Sequence, residues 1–308
     1  MIEVILPGTG GTVPGKERWL ATCMMRRNGS ALMIDCGEGT QIALKEAGLT
    51  MKQIDVLCIT HFHADHVSGL PGFLLTMGNE GREEPLTVIG PKGLEEVLRG
   101  LLIIAPLSFP LHLYEFPEFE EGVLPDPIVY GEYHIQPFPL CHGVPCYGYQ
   151  VKVARAGKFD PEKAKANGVP MAFWGALQRG ETMEDEERVY TPEMVLGPKR
   201  KGLSIVYATD TRPIDLISEM AHDADLFICE GMYGDPEKRD RSIEAGHMLY
   251  RDAAELAKRA GAERLWLTHY SPSMKEPELF LTEEAQRIFP NAVCGYDGMR
   301  ATIPFREE

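Results

Sequence analysis

The chain has 308 residues, 44% of them hydrophobic, and carries 46 acidic against 31 basic side chains for a net charge of −15. That is enough apolar sequence to bury the core of one large α/β domain or two intimately joined halves, and the acidic balance argues against a generally basic nucleic-acid-binding surface. No apolar run reaches the roughly 18 residues of a membrane span, and residues 1–6 read as a strand, not a basic and apolar signal segment, so a cytoplasmic protein is expected.

In chain order, residues 1–60 read as strand, glycine-rich loop, two strands, short helix and strand. The loop Gly8-Thr9-Gly10-Gly11-Thr12 lacks any dinucleotide or Gly-Lys-Ser/Thr phosphate pattern and reads as a tight loop at an active site, or else an anion-holding turn. The strand ending at Asp35 runs into Cys36-Gly37-Glu38-Gly39. Asp35 reads either as the acceptor that orients a metal-bound histidine or as a carboxylate satisfied by backbone N–H groups in its own turn. Seven cysteines, at 23, 36, 58, 141, 146, 229 and 294, form no Cys-x-x-Cys pair and read as reduced, mostly buried thiols.

The stretch Cys58-Ile59-Thr60-His61-Phe62-His63-Ala64-Asp65-His66 is a buried strand running into four potential metal ligands within six residues. His61 and His63 project to one side of an extended segment while Asp65 and His66 fall on the following turn, so four donors converge from one loop. With no cysteine in the loop a closed structural site is disfavoured, and imidazole with carboxylate suits zinc, and also manganese or iron. The alternative is a surface loop that happens to be rich in histidine.

Farther on, Leu94, Val97, Leu98, Leu101 and Leu102 give the stripe of a core-facing helix over 92–104. Strands follow over 111–115, 131–138 and 147–153, with His142 between the last two. Residues 157–202 look least like part of the core, although Asp160-Pro161-Glu162-Lys163 is a good helix start and Gly168 its stop. The strand 204–208 ends in Thr209-Asp210, helix 214–220 and strand 226–229 follow, helix 251–260 stops at Gly261, and the strand from Arg264 ends in Thr268-His269. Both Thr-ligand endings repeat the Ile59-Thr60-His61 pattern. With His142 they make seven donors from four places, the number two metals need when they share a carboxylate.

These residues carry a resemblance. The motif at 61–66 followed by His142, Asp210 and His269 resembles the metallo-β-lactamase superfamily, and more closely its ribonuclease Z branch. Asp35-Cys36-Gly37-Glu38-Gly39-Thr40-Gln41, Gly69-Leu70-Pro71-Gly72, Thr87-Val88-Ile89-Gly90-Pro91-Lys92-Gly93 and Gly197-Pro198 through Asp210-Thr211-Arg212-Pro213 are similar to that branch too. The resemblance implies an αββα sandwich, two facing mixed sheets with helices outside, as one domain over 1–308 with an arm-like insertion at about 157–202. It further implies two divalent ions per chain, zinc first, with His61, His63 and His142 on one, Asp65, His66 and His269 on the other and Asp210 between them. Asp65 then stands at the attacking side, and His247, in Glu244-Ala245-Gly246-His247, protonates the leaving oxygen with an acidic partner, for which Glu230 is the candidate. His112, His134 and His222 match no role.

As function the resemblance implies a phosphodiesterase cutting precursor tRNA at its 3′ end, acting as a homodimer whose arm grips the tRNA elbow. Two motifs depart from the branch. Met171-Ala172-Phe173-Trp174 stands where a Gly-Pro tip is usual, and residues 171–190 hold two arginines against five acidic residues, a net −3 that repels a phosphate backbone. Lys199-Arg200-Lys201 is the local basic run. The last ligand continues as His269-Tyr270-Ser271-Pro272-Ser273-Met274, without the usual Ser-x-Arg-Tyr. These departures admit the alternative of a small-ester hydrolase, acting on a cyclic phosphodiester, an aryl sulfate, a thioester or a lactone. A metal-binding scaffold without catalysis is the reading from another class.

Overall fold

A computed structural model describes residues 1–117 and 122–306. One compact unit, Met1–Lys152 with Ser204–Pro304, is built on two seven-stranded sheets. The first runs in the order Met299–Ile303, Ile2–Gly8, Thr22–Arg27, Ser30–Ile34, Ile54–Cys58, Leu86–Gly90, Leu111–Glu115. Its pairs are antiparallel as far as Ser30–Ile34 and parallel beyond it. The second runs Ala292–Cys294, Leu265–Thr268, Leu226–Glu230, Arg200–Ala208, Pro145–Arg155, Tyr133–Cys141, Ile128–Tyr130. Its first four strands are parallel and its last pair antiparallel.

The central strands are apolar at successive positions because both their faces are buried. In Ser30–Ile34, Ala31 and Met33 pack with the helices Thr40–Glu46, Leu70–Asn79 and Leu94–Leu101, whereas Leu32 and Ile34 are just as buried on the opposite face. On the second sheet Val206, Ala208, Phe227, Leu265 and Leu267 meet Ile217, Ala253, Ala254, Ala257 and Leu281 from the helices Asp215–Met220, Tyr250–Ala260 and Pro277–Gln286. Across the middle, Tyr149 donates its hydroxyl to Ile59 O (2.5 Å) and Tyr133 to Ser30 O (3.0 Å). Helix, sheet, sheet, helix is the expected αββα order.

The strands expected at 30–35, 56–59, 204–208, 226–229 and from Arg264 are present as Ser30–Ile34, Ile54–Cys58, Arg200–Ala208, Leu226–Glu230 and Leu265–Thr268, so candidate ligands follow strand ends. The helix expected over 92–104 is α-helical at Leu94–Leu101 and tightens into a 3₁₀ turn at Leu102–Ile104, where Ile103 and Ile104 are about 80% exposed and end the apolar stripe. Helices Leu70–Asn79 and Pro277–Gln286 and the strands Ala292–Cys294 and Met299–Ile303 went unanticipated. All seven cysteines are free thiols, six of them buried. No helix among the described residues is long and apolar enough to cross a membrane.

A second compact unit comprises Val153–Leu203 with 305–306. Asp160 caps its helix Pro161–Ala166 by accepting from the N–H groups of Glu162 and Lys163 (3.1 and 3.0 Å), and Gly168 follows with φ +62°. Phe173 and Trp174, at the departure from the family pattern, lie in the helix Met171–Gln178 and pack on a small core of Ala164, Val169, Leu177 and Tyr190. The aromatic pair is there because so short a segment needs apolar area to hold its own shape.

Candidate metal centre

Beyond Cys58 the chain stays extended to His63, which begins a single helical turn, Ala64–Val67, closed by the His66 N–H on His63 O (3.0 Å). His61 and His63 thus leave an extended segment and Asp65 and His66 a turn, as the spacing predicted. The turn is pressed against the Asp35–Gly37 turn: Cys36 N–H donates to His66 O (2.8 Å) and Gly69 N–H to Cys36 O (3.0 Å). A Cβ on Gly37 would stand 2.0 Å from Asp65 O, and one on Gly69 2.0 Å from Gly37 O, so only glycine permits the approach.

The fold brings all seven expected donors together. His61, His63 and His142 form one group whose ligand atoms lie within 4.8 Å of one another, and Asp65, His66 and His269 form a second. Asp210 stands between them, its Oδ2 3.2 Å from both His66 Nε2 and His269 Nε2 and its Oδ1 3.8 Å from His142 Nε2. Asp65 Oδ2 closes the second group at 3.5 Å from His66 Nε2 and 3.6 Å from His269 Nε2. Asp210 and His269 leave their strands with φ of +56° and +57°, a backbone conformation costly for residues with a Cβ and common where a site holds its side chains in place. His112, His134 and His222 are exposed, outside the cluster.

Three of the imidazoles, those of His66, His61 and His142, are turned by a partner behind them. His66 Nδ1 lies 2.7 Å from Asp35 Oδ2, which leaves Nε2 as the lone pair facing the cluster. Asp35, fully buried at φ +62°, also accepts from Thr60 N–H and Oγ1–H (both 2.8 Å). The same Thr60 hydroxyl lies 3.0 Å from His61 Nδ1, so one carboxylate orients two ligands. His142 Nδ1 donates to Gly246 O (2.9 Å). The glycine-rich loop does line the site: Thr12 N–H donates to Asp65 Oδ2 (2.7 Å), and Gly11 lies directly against the His269 ring.

The electrostatics call for cations. Burial, helped by the neighbouring imidazoles, lowers His61 to about 2, and burial also lowers His142, so both present neutral lone pairs. Burial opposes the charge of Asp210, but His269 and His66 outweigh it and hold the carboxyl well below the usual range. Asp65 is likewise held below that range by the His269 and His66 imidazoles beside it, which overcome its burial. His61 Nε2, His66 Nε2, His269 Nε2 and Asp210 Oδ2 are buried and make no hydrogen bond within the described residues. Unpaired buried acceptors aimed at one another are costly unless a cation lies between them, so the residues fit two divalent ions.

Beside this cradle His247 Nδ1 lies 3.2 Å from Glu230 Oε2, and Glu230, fully buried, also accepts from Thr211 N–H (2.6 Å) and Met248 N–H (3.2 Å). Burial disfavours the imidazolium of His247, yet Glu230, with Asp210 and Asp65 behind it, lifts it to about 9. The His247 ring stands 5.0 Å, centre to centre, from that of His142.

Comparison with known proteins decides the family. The chain is 51% identical over 306 residues to a ribonuclease Z of Lachnoclostridium phytofermentans, covering 99% of both proteins, and 50% identical to one of Agathobacter rectalis, covering all of both. The chain belongs to the ribonuclease Z family. Family models match it as anti-Pycsar protein Apyc1 over residues 2–103 and as a β-lactamase superfamily domain over 184–270. Human tRNase Z, short form, shares the fold at TM-score 0.70 with 23% identity, covering 98% of this chain and 99% of that one. The metallo-β-lactamase fold protein YhfI of Bacillus subtilis does so at 0.69 with 19%, covering 97% and 98%.

As a ribonuclease Z the protein is a metal-dependent endoribonuclease with a binuclear site for divalent cations in its His/Asp cluster, and the small-ester alternative is not favoured. Sequence reasoning missed Thr60 as the link between Asp35 and His61, and Arg212, whose side chain reaches the His142 loop. The one signal for Thr60 was its recurrence before each strand-end ligand.

Proposed function

We propose that the protein matures precursor tRNA by cutting the phosphodiester just after the discriminator base, with zinc as its resident ion. His61, His63 and His142 would hold one ion and Asp65, His66 and His269 the other, with Asp210 placed to serve both. When bound, two such cations acidify a shared water and offset charge on the attacking and leaving oxygens of a phosphodiester. Asp65, kept ionised and anchored by Thr12 N–H, orients the attacking water. His247, charged by its pairing with Glu230, gives its proton to the leaving oxygen as the phosphorus–oxygen bond breaks.

The observation that carries this reading is the end-to-end match to ribonucleases Z on a chain that keeps every donor. The same kinship supports a cytoplasmic homodimer, which light scattering of the purified protein checks. The functional test is a side-by-side assay of metal-loaded protein on a 3′-extended precursor tRNA and on a small chromogenic phosphodiester, with Asp65→Ala as control. Cleavage after the discriminator base, lost in the variant, is expected. Hydrolysis of the small diester alone would overturn the assignment to tRNA.

A further inference from the structure

The side chain of Arg212 reaches the backbone of two loops that bear site residues. Its Nη1 donates to His142 O (2.6 Å) and Cys141 O (3.4 Å), on the segment carrying a candidate ligand. Its Nε donates to Ile243 O (2.7 Å), and Nη2 lies 3.5 Å from Glu244 O. Those two carbonyls end the helix Arg239–Glu244, and Ile243 O, which already accepts Gly246 N–H (3.1 Å), takes the guanidinium as a second donor. His247 N–H folds back on Ser242 O of the same helix (2.8 Å), so the position of that helix end sets the position of His247. From the other side His142 Nδ1 reaches Gly246 O (2.9 Å). Three consecutive residues therefore tie the site together: Asp210 enters the cluster, Thr211 N–H holds Glu230 (2.6 Å), and Arg212 joins the two loops.

We infer that Arg212 is a positioning residue for the cleavage step, setting His247 in register with the metal cradle so that its proton meets the leaving oxygen. This rests on the proton-donor role given to His247 above. A guanidinium suits the task because its fixed fork of N–H groups addresses two backbones at once, which a single ammonium on a flexible stem does not. The contribution is made through His247, since the short bonds of Nε and Nη1 go to the two loops that place it. Its loss should thus appear in kcat, only where the leaving group needs a proton.

The test compares holoenzyme with Arg212→Gln, Arg212→Lys, His247→Ala and the Arg212→Gln/His247→Ala double variant. The substrates are precursor tRNA and two aryl phosphodiesters, one releasing p-nitrophenolate, which departs unaided, and one releasing phenolate, which does not. Arg212→Gln should lower kcat on the tRNA and the phenyl ester about 10- to 100-fold, a part of what a placed general acid supplies. KM and p-nitrophenyl hydrolysis should stay within about threefold, and the penalty should vanish on the His247→Ala background, as it does for residues acting through one group. Arg212→Lys should show a smaller loss of the same pattern, and it carries the test should the glutamine variant lose its metal or its fold. Equal losses on both aryl esters, an undiminished penalty without His247, or no loss at all would each overturn the inference. A wild-type enzyme that hydrolyses the aryl esters and leaves tRNA intact would instead remove the tRNA assignment, with the aryl pair still reporting on Arg212.

Discussion

Replacing Asp35 by asparagine changes almost no volume and yet should weaken metal binding, most of all at the group that contains His66. Asp35 accepts three hydrogen bonds, from Thr60 N–H on Oδ1 and from Thr60 Oγ1–H and His66 Nδ1–H on Oδ2. An asparagine that keeps its oxygen toward Thr60 N–H turns its NH₂ toward His66. The imidazole must then accept at Nδ1 and carry its proton on Nε2, the atom that faces Asp210 at 3.2 Å and would hold the metal. The opposite orientation sets NH₂ against the Thr60 N–H and leaves a buried donor unpaired, at a cost of about 1–3 kcal/mol. The variant must take one or the other, so the His66 lone pair is lost part of the time. Losing the group that orients a metal-bound histidine typically lowers affinity about 10- to 100-fold, or about 1.4–2.8 kcal/mol. Zinc titration against a competing chelator should show the Asp35→Asn protein binding the ion on His66 about 10- to 100-fold more weakly, with a smaller loss for the ion on His61, which Asp35 reaches through the Thr60 hydroxyl. Two ions bound as tightly as in wild type would refute the tautomer argument.

Three further outcomes are expected. Asp210→Ala should lose both ions, because its two oxygens are the ones shared between the groups; elemental analysis giving two metals per chain would sink the bridging assignment. Glu230→Gln removes the anion that lifts His247 toward 9, so the imidazolium loses its proton earlier and the alkaline limb of kcat should move to lower pH by at least about one unit; an unmoved limb would exclude His247 as the titrating acid. Gly11→Ala would set a Cβ 2.6 Å from His269 Cε1, and relief of that overlap should cost about 1–3 kcal/mol in the melting of the metal-loaded protein and weaken the ion on His269; an unchanged melt would show that the loop yields freely.

Much of the centre was legible because each ligand stands where a strand stops. An apolar run, a threonine and then a histidine or aspartate is a local pattern, so His61, Asp210 and His269 could be read without knowing which strands are neighbours. The pair at Asp65 and His66 followed from the turn after an extended segment, and the exposure of His112, His134 and His222 agrees with leaving them aside. The helix ending at Leu101 was harder to bound, because the stripe that defines its buried face runs on through Leu102 into a turn of tighter pitch.

What the sequence by itself determined, then, was the set of donors and the strand ends that carry them, since both are set by residues within a few positions of one another. What only the tertiary structure decided was who stands behind those donors. Asp35 serves His66 because their strands, Ser30–Ile34 and Ile54–Cys58, lie side by side in parallel. Glu230 meets His247 across 17 residues and Arg212 meets His142 across 70. Such pairings depend on sheet order and on where a helix ends against a loop from a distant part of the chain, and nothing in the spacing of the residues themselves records them.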